Sequence, residues 1–303
     1  MNQNRLDIDI LSVQILKEIP SASGIAKFKE NFYVIGDDSP YLFKIDKHFD
    51  LISKNLIYSC GKLQGDTIPK IDKPDFEAME LISETEILVF GSGSKSPERD
   101  VCVLVDIEKE VKYKKYDISL FYEHIRRMEV MDGYELDIEG LAMYGELLYL
   151  FNRGRNIIFC FPYTDFISYC KAESDFPIPK VSIYSLPKIN GLQAGFSGAT
   201  IYGQKPYLIF TASVEDAPNA YDDGPILGSF IGLIEINNGN LSDEIIIKKI
   251  PNPGFPLKIE SVIVDEILSE TVAELVLVTD NDGQASEILR LHMTFNPTGN
   301  EKS

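Results

Sequence analysis

Five oxygen-bearing residues stand at the start of similar segments spread along the chain. They are Ser23, Glu77, Glu139, Ser197 and Glu260. Each opens a short strand-like run and is followed by a small residue, and consecutive ones are 54 to 63 residues apart. Two of the glutamates also have an aspartate two positions earlier, Asp75 and Asp137. Carboxylate and hydroxyl oxygens are the ligands that hard divalent cations prefer, so this spacing raises the question of whether the fold brings them together.

The segments that begin at these residues have a common pattern. A turn follows the first short strand, then come an aliphatic and aromatic strand, a turn rich in Gly, Asp, Asn and Ser, and a third strand. Repeats of this length and strand content are typical of β-propeller blades. The sequence therefore predicts an all-β protein, a five-bladed β-propeller formed as one domain over residues 1–303. Candidate fourth, outer strands are 51–59, 111–119, 180–186 and 243–250.

The last repeat lacks a fourth strand, whereas the N-terminal run DIDILSVQILKEI has no repeat in front of it. We expect this run to pair with the strand at 286–293 and to close the ring, which removes exposed sheet edges. Segment 119–131 breaks the pattern, because the spacing of Leu120, Ile125 and Met128 predicts a short helix or lid. The acidic loop 213–227 interrupts the fourth blade. It is either a functional insertion or a solvated surface loop, and the sequence favours neither.

Equivalent positions on the innermost strands of a propeller surround one central axis. The five residues should therefore face one another there, and three carboxylates so close together either raise one another's pKa or recruit a cation. No Lys or Arg recurs at the matching positions. We predict a bound Ca²⁺, with Mg²⁺ as the alternative, because Ca²⁺ tolerates irregular oxygen coordination. The other interpretation is a wet channel in which the glutamates bond to backbone amides and water.

Composition excludes several classes of function. Three scattered histidines and four cysteines without metal-binding spacing argue against a zinc site or a His-based triad. The net charge of −18 disfavours nucleic acid and anionic membranes as partners. The sequence shows no long apolar span and no basic patch followed by an apolar run at its start. We expect a cytoplasmic monomer.

Turns after the second strand of each repeat should gather at one end of the propeller. They carry Asp37, Asp38, Ser92, Ser94, Asn152, Arg153, Arg155, Ser213, Glu215, Asp280 and Asp282. Arg153 and Arg155 beside a divalent cation would suit a phosphate or carboxylate group of a small-molecule ligand. Asp38 or Asp280 could then act as the base that activates water. The alternative is that the arginines only offset nearby acids.

At the five ring residues the sequence resembles the calcium-activated nucleotidases, or apyrases, which have Ser, Glu, Glu, Ser and Glu in the same order. Pieces such as GIAKFKENFYVIGDD, LYLFNRGR and GFS extend the resemblance. It implies a five-bladed propeller with a central calcium. The departures lie where nucleotides are handled: GSGSKSPERD replaces the family's second-blade loop, the chain has no Trp, and Ser39 and Pro40 stand where the family has an Arg.

Other metal-dependent propellers, of the gluconolactonase-like and phytase-like groups, have similar strand openings. Two functions therefore stay open after the sequence. One is a metal-dependent hydrolase of a phosphoanhydride, phosphoester or lactone. The other is a non-catalytic propeller, in which the metal holds the blades together and the rim binds a partner.

Overall fold

The computed structural model describes residues 5–296 apart from 60, 62, 218–223 and 281–284. Its strands form five four-stranded antiparallel sheets and one short hairpin. The first sheet has strands β2 to β5 and the second has β6 to β9. Their bounds are Ala22–Phe28, Asn31–Gly36, Tyr41–Ile45 and Leu51–Leu56, then Phe76–Leu81, Glu86–Gly91, Val101–Asp106 and Lys112–Asp117. Each sheet runs in chain order from its innermost to its outermost strand.

The third and fourth sheets repeat this order. The third contains β10 to β13, at Ile138–Tyr144, Leu147–Asn152, Ile157–Pro162 and Lys180–Ile183. The hairpin that follows it has β14 and β15, at Lys188–Ile189 and Leu192–Gln193. The fourth sheet contains β16 to β19, at Gly195–Ile201, Tyr207–Glu215, Ile226–Asn237 and Asn240–Lys249. The predicted fourth strands are thus all confirmed.

The fifth sheet joins the two ends of the chain. Strands β20, β21 and β22 span Ile259–Ile267, Val272–Thr279 and Ala285–Phe295, and β1, Leu6–Pro20, pairs antiparallel with β22 as the outermost strand. Each innermost strand also contacts the innermost strands of the two neighbouring sheets, so the five sheets form a closed ring. The prediction of a five-bladed propeller closed by its N-terminal strand is confirmed.

The apolar core lies between blades. Within the described residues it divides into five clusters, and each draws on two adjacent sheets, including the pair that the N-terminal strand closes. Burial of these aliphatic and aromatic faces is the main driving force that holds the blades together.

The helical insertion is confirmed. Helix α1 spans Ser119–Arg126, a 3₁₀ turn follows at Glu129–Met131, and α2 spans Tyr163–Cys170. Helix α1 buries Phe121, Tyr122 and Ile125, while the side chain of Leu120 is exposed. The Tyr122 hydroxyl donates a hydrogen bond to the carbonyl of Gly91. These contacts make α1 part of the interface between blades two and three rather than a lid.

No helix among the described residues combines the length and apolarity needed to span a membrane.

Candidate functional site

Each of the five predicted ring residues occupies a β-bulge. In every innermost strand the pairing with the second strand skips one residue, and the skipped residues are Ser23, Glu77, Glu139, Ser197 and Glu260. A bulge inserts one unpaired residue into a strand, which bends it and redirects a side chain. The bulges place the five residues at equivalent positions in all five blades, which agrees with the repeat alignment.

Small residues follow the bulges because the inner strands approach one another closely. A Cβ atom added to Gly140 would lie 3.1 Å from the backbone carbon of Gly198 in the next blade. One added to Gly198 would lie 2.8 Å from the backbone oxygen of Glu260 in the blade after that. Gly140 and Gly198 therefore allow the inner strands of neighbouring blades to approach one another closely around the axis.

The three glutamates and Ser23 line one cavity of about 600 Å³ at the end of the propeller where the second strands finish. Asp38, Arg153, Arg155 and Asp280 line the same cavity, so the predicted clustering of the turn residues is confirmed for them. Among the described residues that line it, ten are acidic and six are basic. The cavity is therefore strongly polar and acidic in balance.

The two serines of the ring are already hydrogen-bonded. Ser23 Oγ donates to the carbonyl of Phe76, and Ser197 Oγ donates to Thr211 Oγ1 over 3.3 Å. Ser197 is fully buried behind the cavity surface. Ser92 and Ser94, at the second-blade turn, lie beside Asp75, with Ser92 Oγ 2.6 Å from Asp75 Oδ2. Asp282 lies outside the described residues.

Two of the ring glutamates have cationic neighbours that the repeat alignment did not reveal. Lys258 Nζ is 3.2 Å from Glu260 Oε1, 3.5 Å from Asp280 Oδ2 and 3.8 Å from Glu215 Oε2. Arg153 reaches Glu139 at 3.6 Å and Glu215 at 3.4 Å. No Lys or Arg recurs at matching positions of the blades, but a single Lys and a single Arg lie beside two of the ring glutamates. Lys258 stands two residues before Glu260, where Asp75 and Asp137 stand in their blades.

Glycine 195 makes room for Arg153. A Cβ atom at this position would lie only 2.4 Å from Cγ of the arginine, so the side chain of Arg153 passes directly over the glycine. Gly195 precedes Ser197 by two residues, as Lys258 precedes Glu260. At the position two residues before the ring residue, the fifth blade thus has a cation, Lys258, whereas the fourth blade has a glycine, Gly195, that leaves space for the cationic side chain of Arg153.

A second charged group lies between blades one and two. Lys73 is ion-paired with Asp37 and with Asp75, the latter at 2.8 Å, and Arg99 contacts the other oxygen of Asp75. Oxygen atoms of Asp37, Asp75 and Glu77 lie within 4.8 Å of one another. Among the described residues, no Lys or Arg nitrogen lies within 4.0 Å of the Glu77 carboxylate. We call Asp37, Asp75 and Glu77 the carboxylate cluster.

Burial and mutual repulsion raise the pKa values of several acids in the cavity. Burial and then the charge of Asp75, Glu139 and other carboxylates raise the pKa of Glu77 well above its usual range. Burial raises the pKa of Glu260 to about 8, against the opposing effect of Lys258, and raises that of Asp38 to about 6. Burial also raises the pKa of Glu139. Each shift means that these acids favour the neutral form unless a positive charge compensates the carboxylate.

Several oxygens of the cavity are buried without a hydrogen-bond partner. They are Asp37 Oδ1, Asp38 Oδ1, Ser213 Oγ and Glu260 Oε2. Three of the four belong to carboxylates, which as anions only accept hydrogen bonds or bind cations. The donor set therefore fits a hard cation with oxygen ligands better than it fits zinc or copper.

Glu80 is an acid of the same inner strand that lies outside the cavity lining, and it allows a test of burial alone. Its Oε1 accepts a hydrogen bond from the Leu81 amide over 3.0 Å, and burial raises its pKa to about 8. Below the pKa that Glu80 has in the unfolded chain, its carboxyl is protonated in both states and does not lower the free energy of unfolding. As the pH rises from there to 8, the unfolded chain loses this proton more readily than the native protein, so the free energy of unfolding falls.

We therefore expect Glu80→Gln to match the wild-type stability near pH 4.5. Above pH 8 the variant should be more stable by about 3 kcal/mol, below the full linkage value because part of the side chain stays hydrated. Urea unfolding of both proteins from pH 4.5 to 9 measures this. A constant difference across that range would contradict the assignment.

The sequence matches one family of known proteins. A model of a family of unknown function, DUF6929, matches residues 18–293. This chain belongs to that family. No protein of the curated collection matches the sequence.

Among solved structures, glutaminyl cyclase from Myxococcus xanthus is similar over 96% of this chain and 97% of its own, at a TM-score of 0.53 and 7% identity. Regucalcin from Agrobacterium tumefaciens, described as a calcium-binding protein, covers 94% of this chain and 95% of its own at a TM-score of 0.42 and 10% identity. At these identities the likeness concerns the fold and carries no activity to this chain.

Proposed function

We propose that the axial cavity binds a divalent cation at the carboxylate cluster, Ca²⁺ first and Mg²⁺ as the alternative. The observation that carries the proposal is the unequal neutralisation of the ring. Glu139 and Glu260 have Arg153 and Lys258 beside them, whereas Glu77 has no cation within 4.0 Å among the described residues and lies against two aspartates.

Charge supports this placement. The carboxylate cluster has three acids against Lys73 and Arg99, and Asp37 Oδ1 is buried without a partner. Asp38, whose Oδ1 is also unpartnered, lies next to it in the chain. Oxygen ligands from two blades with tolerant geometry suit Ca²⁺ better than Mg²⁺, which requires a nearly ideal octahedron. The resemblance of the five ring residues to the apyrase pattern also supports a cation near the axis.

The proposed chemistry is hydrolysis of a phosphoanhydride, phosphoester or lactone. A divalent cation bound there would polarise a phosphoryl or carbonyl oxygen as a Lewis acid. Arg155, which is partly exposed at the cavity and stacks over Tyr134, would bind the anionic group of the substrate. Asp38 or Asp280 would accept the proton of the attacking water. Arg153 is held by Glu139 and Glu215 and would orient these acids.

Calcium titration tests the cation site. We expect Ca²⁺ to bind with release of heat or a shift of the melting temperature, and at 100-fold excess over Kd to stabilise the protein by about 2.7 kcal/mol. Glu77→Gln should weaken binding at least about tenfold, since it removes one charged ligand. Isothermal titration after EDTA treatment gives both constants.

Glu80→Gln is the matched control, because it makes the same chemical change three residues further along the same strand and outside the cavity. It should leave the calcium Kd unchanged. Equal effects of the two substitutions, or no binding of Ca²⁺ or Mg²⁺ to the wild type, would refute the cation site.

The second candidate is a non-catalytic propeller whose charged axis only joins the blades. It is favoured by the cationic side chains that already lie beside Asp75 and two of the ring acids, Glu139 and Glu260. A screen of nucleoside diphosphates, phosphate esters and lactones with Ca²⁺ or Mg²⁺ separates the two. Turnover that Arg155→Met abolishes supports the hydrolase, and the absence of turnover with intact calcium binding supports the scaffold.

A further inference from the structure

Two unpartnered polar atoms come from blades four and five, whereas the carboxylate cluster comes from blades one and two. Ser213 Oγ and Glu260 Oε2 have no hydrogen-bond partner, and their residues are only 1% and 4% exposed. Both residues line the cavity. A buried polar atom left unpaired destabilises the protein, and a ligand that pairs with it recovers this free energy as binding energy.

Lys258 links Glu260 to Glu215, a neighbour of Ser213 in the chain. Ser213 precedes Glu215 by two positions on strand β17, so the two side chains point to the same face. Glu215 lies 3.8 Å from Lys258 Nζ, and the same nitrogen lies 3.2 Å from Glu260 Oε1. Lys258 therefore holds one oxygen of Glu260 and leaves the other, Oε2, for a different partner.

The chemistry of these two atoms selects a hydroxyl group. A serine hydroxyl and a protonated carboxyl both donate and accept, whereas an ionised carboxylate only accepts. A hydroxyl of a ligand in the cavity that both residues line can therefore donate to Glu260 Oε2 and accept from Ser213 Oγ in either protonation state. An ammonium group would meet the positive charges of Lys258 and Arg153, and a second anion would meet Glu215 and Asp280.

The remaining lining agrees with a ligand that is polar along its whole length. Among the described residues that line the cavity of about 600 Å³, the apolar side chains are Ile68, Ala194 and Ala217, with the ring of Tyr134. A ligand with a large aromatic or aliphatic part would leave many charged side chains of this lining desolvated and unpaired.

We propose that Ser213 and Glu260 form a hydroxyl-binding subsite and that the ligand of the cavity is an anionic polyol, such as a sugar acid or a sugar phosphate. The inference rests on the proposed function for the anionic end, which Arg155 and the cation would bind. The subsite adds that the far end of the ligand carries a hydroxyl.

Matched pairs of probes test the subsite. Glycerol 3-phosphate and propyl phosphate differ by two hydroxyls, and gluconate and hexanoate differ by five. In calorimetric titrations with saturating Ca²⁺, and again in EDTA, we expect the hydroxylated member of at least one pair to bind at least about tenfold more tightly to the wild type. The pair that shows the preference tells a phosphate from a carboxylate ligand.

Ser213→Ala and Glu260→Gln should each reduce this preference to about threefold or less, while Ser53→Ala, on the outer strand of the first blade, should keep it. Calcium affinity should stay unchanged in Ser213→Ala, because Ser213 lies outside the carboxylate cluster. Circular dichroism and the melting temperature show that each variant is folded.

Equal binding within both pairs, no binding of any probe at millimolar concentration, or a preference that survives in Ser213→Ala would overturn the subsite. A hydroxyl preference that persists in EDTA when Ca²⁺ itself fails to bind would support the subsite and refute only the cation site.

Discussion

Replacement of Lys258 by Met should lower the free energy of unfolding by about 3 to 5 kcal/mol, because it leaves buried carboxylates without their counter-charge. Its ammonium group lies within 3.2 to 3.8 Å of three acids, Glu215, Glu260 and Asp280. The side chains of these acids are 4 to 13% exposed, so water does not replace the lost charge. Urea unfolding in EDTA at pH 8 measures the effect without a bound cation.

A double variant distinguishes loss of charge from loss of packing. Lys258→Met combined with Glu260→Gln should be more stable than the sum of the two single effects predicts, by about 1 to 3 kcal/mol. Lys248→Met is the control, since Lys248 pairs over 3.4 Å with Asp7, whose side chain is 71% exposed. It should cost at most about 1 kcal/mol. Additive single effects, or equal losses at Lys258 and Lys248, would contradict the role of Lys258.

The ring residues were predictable because each blade repeats them. Ser or Glu followed by a small residue recurs five times, and the structure shows the physical cause: the first forms a bulge, and the second leaves room for the neighbouring strand. The N-terminal strand was predictable for a related reason, since a ring that lacks one strand at its end and has one extra at its start has a single simple closure.

The cations of the site could not be predicted in the same way. Lys73, Arg99, Arg153 and Lys258 come from different positions relative to the strands of their blades, so the repeat pattern does not contain them. Long side chains reach the axis from several backbone positions, and only the folded geometry tells which ones do. The sequence did contain one signal for Lys258. It stands two residues before its ring residue, Glu260, at the position that Asp75 and Asp137 occupy in their own repeats.

Helix α1 illustrates a different limit. Its existence followed from the sequence, but its apolar residues cover more than one face, and Leu120, one of the residues whose spacing indicated the helix, is 66% exposed. Tertiary contacts bury Ile125 together with Phe121 and Tyr122, since these reach the aromatic cluster between blades two and three. Spacing alone does not decide which of two adjacent apolar stripes faces the core.

Gly198→Ala should be the most damaging small substitution at the axis. The added Cβ atom would lie 2.7 Å from Thr211 Oγ1 and 2.8 Å from the backbone oxygen of Glu260 and Cα of Ser261. Two of these atoms are backbone atoms of the next blade, so no change of rotamer relieves the contact. We expect a loss of about 3 kcal/mol, at the upper end for overpacking, because the inner strands of blades four and five must separate.

The cavity gives this prediction a second readout. Separation of these strands moves Glu260 and with it Lys258, so Gly198→Ala should also weaken the hydroxyl preference assigned to Ser213 and Glu260. Gly140→Ala, whose nearest atoms lie at 3.1 and 3.2 Å, should cost less, and Gly61→Ala, with no atom within 4 Å, should be nearly neutral. Thermal and urea unfolding of the three variants measure this order. A Gly198→Ala protein as stable as Gly61→Ala would mean that the blades adjust independently at the axis and that the bulges do not set its width.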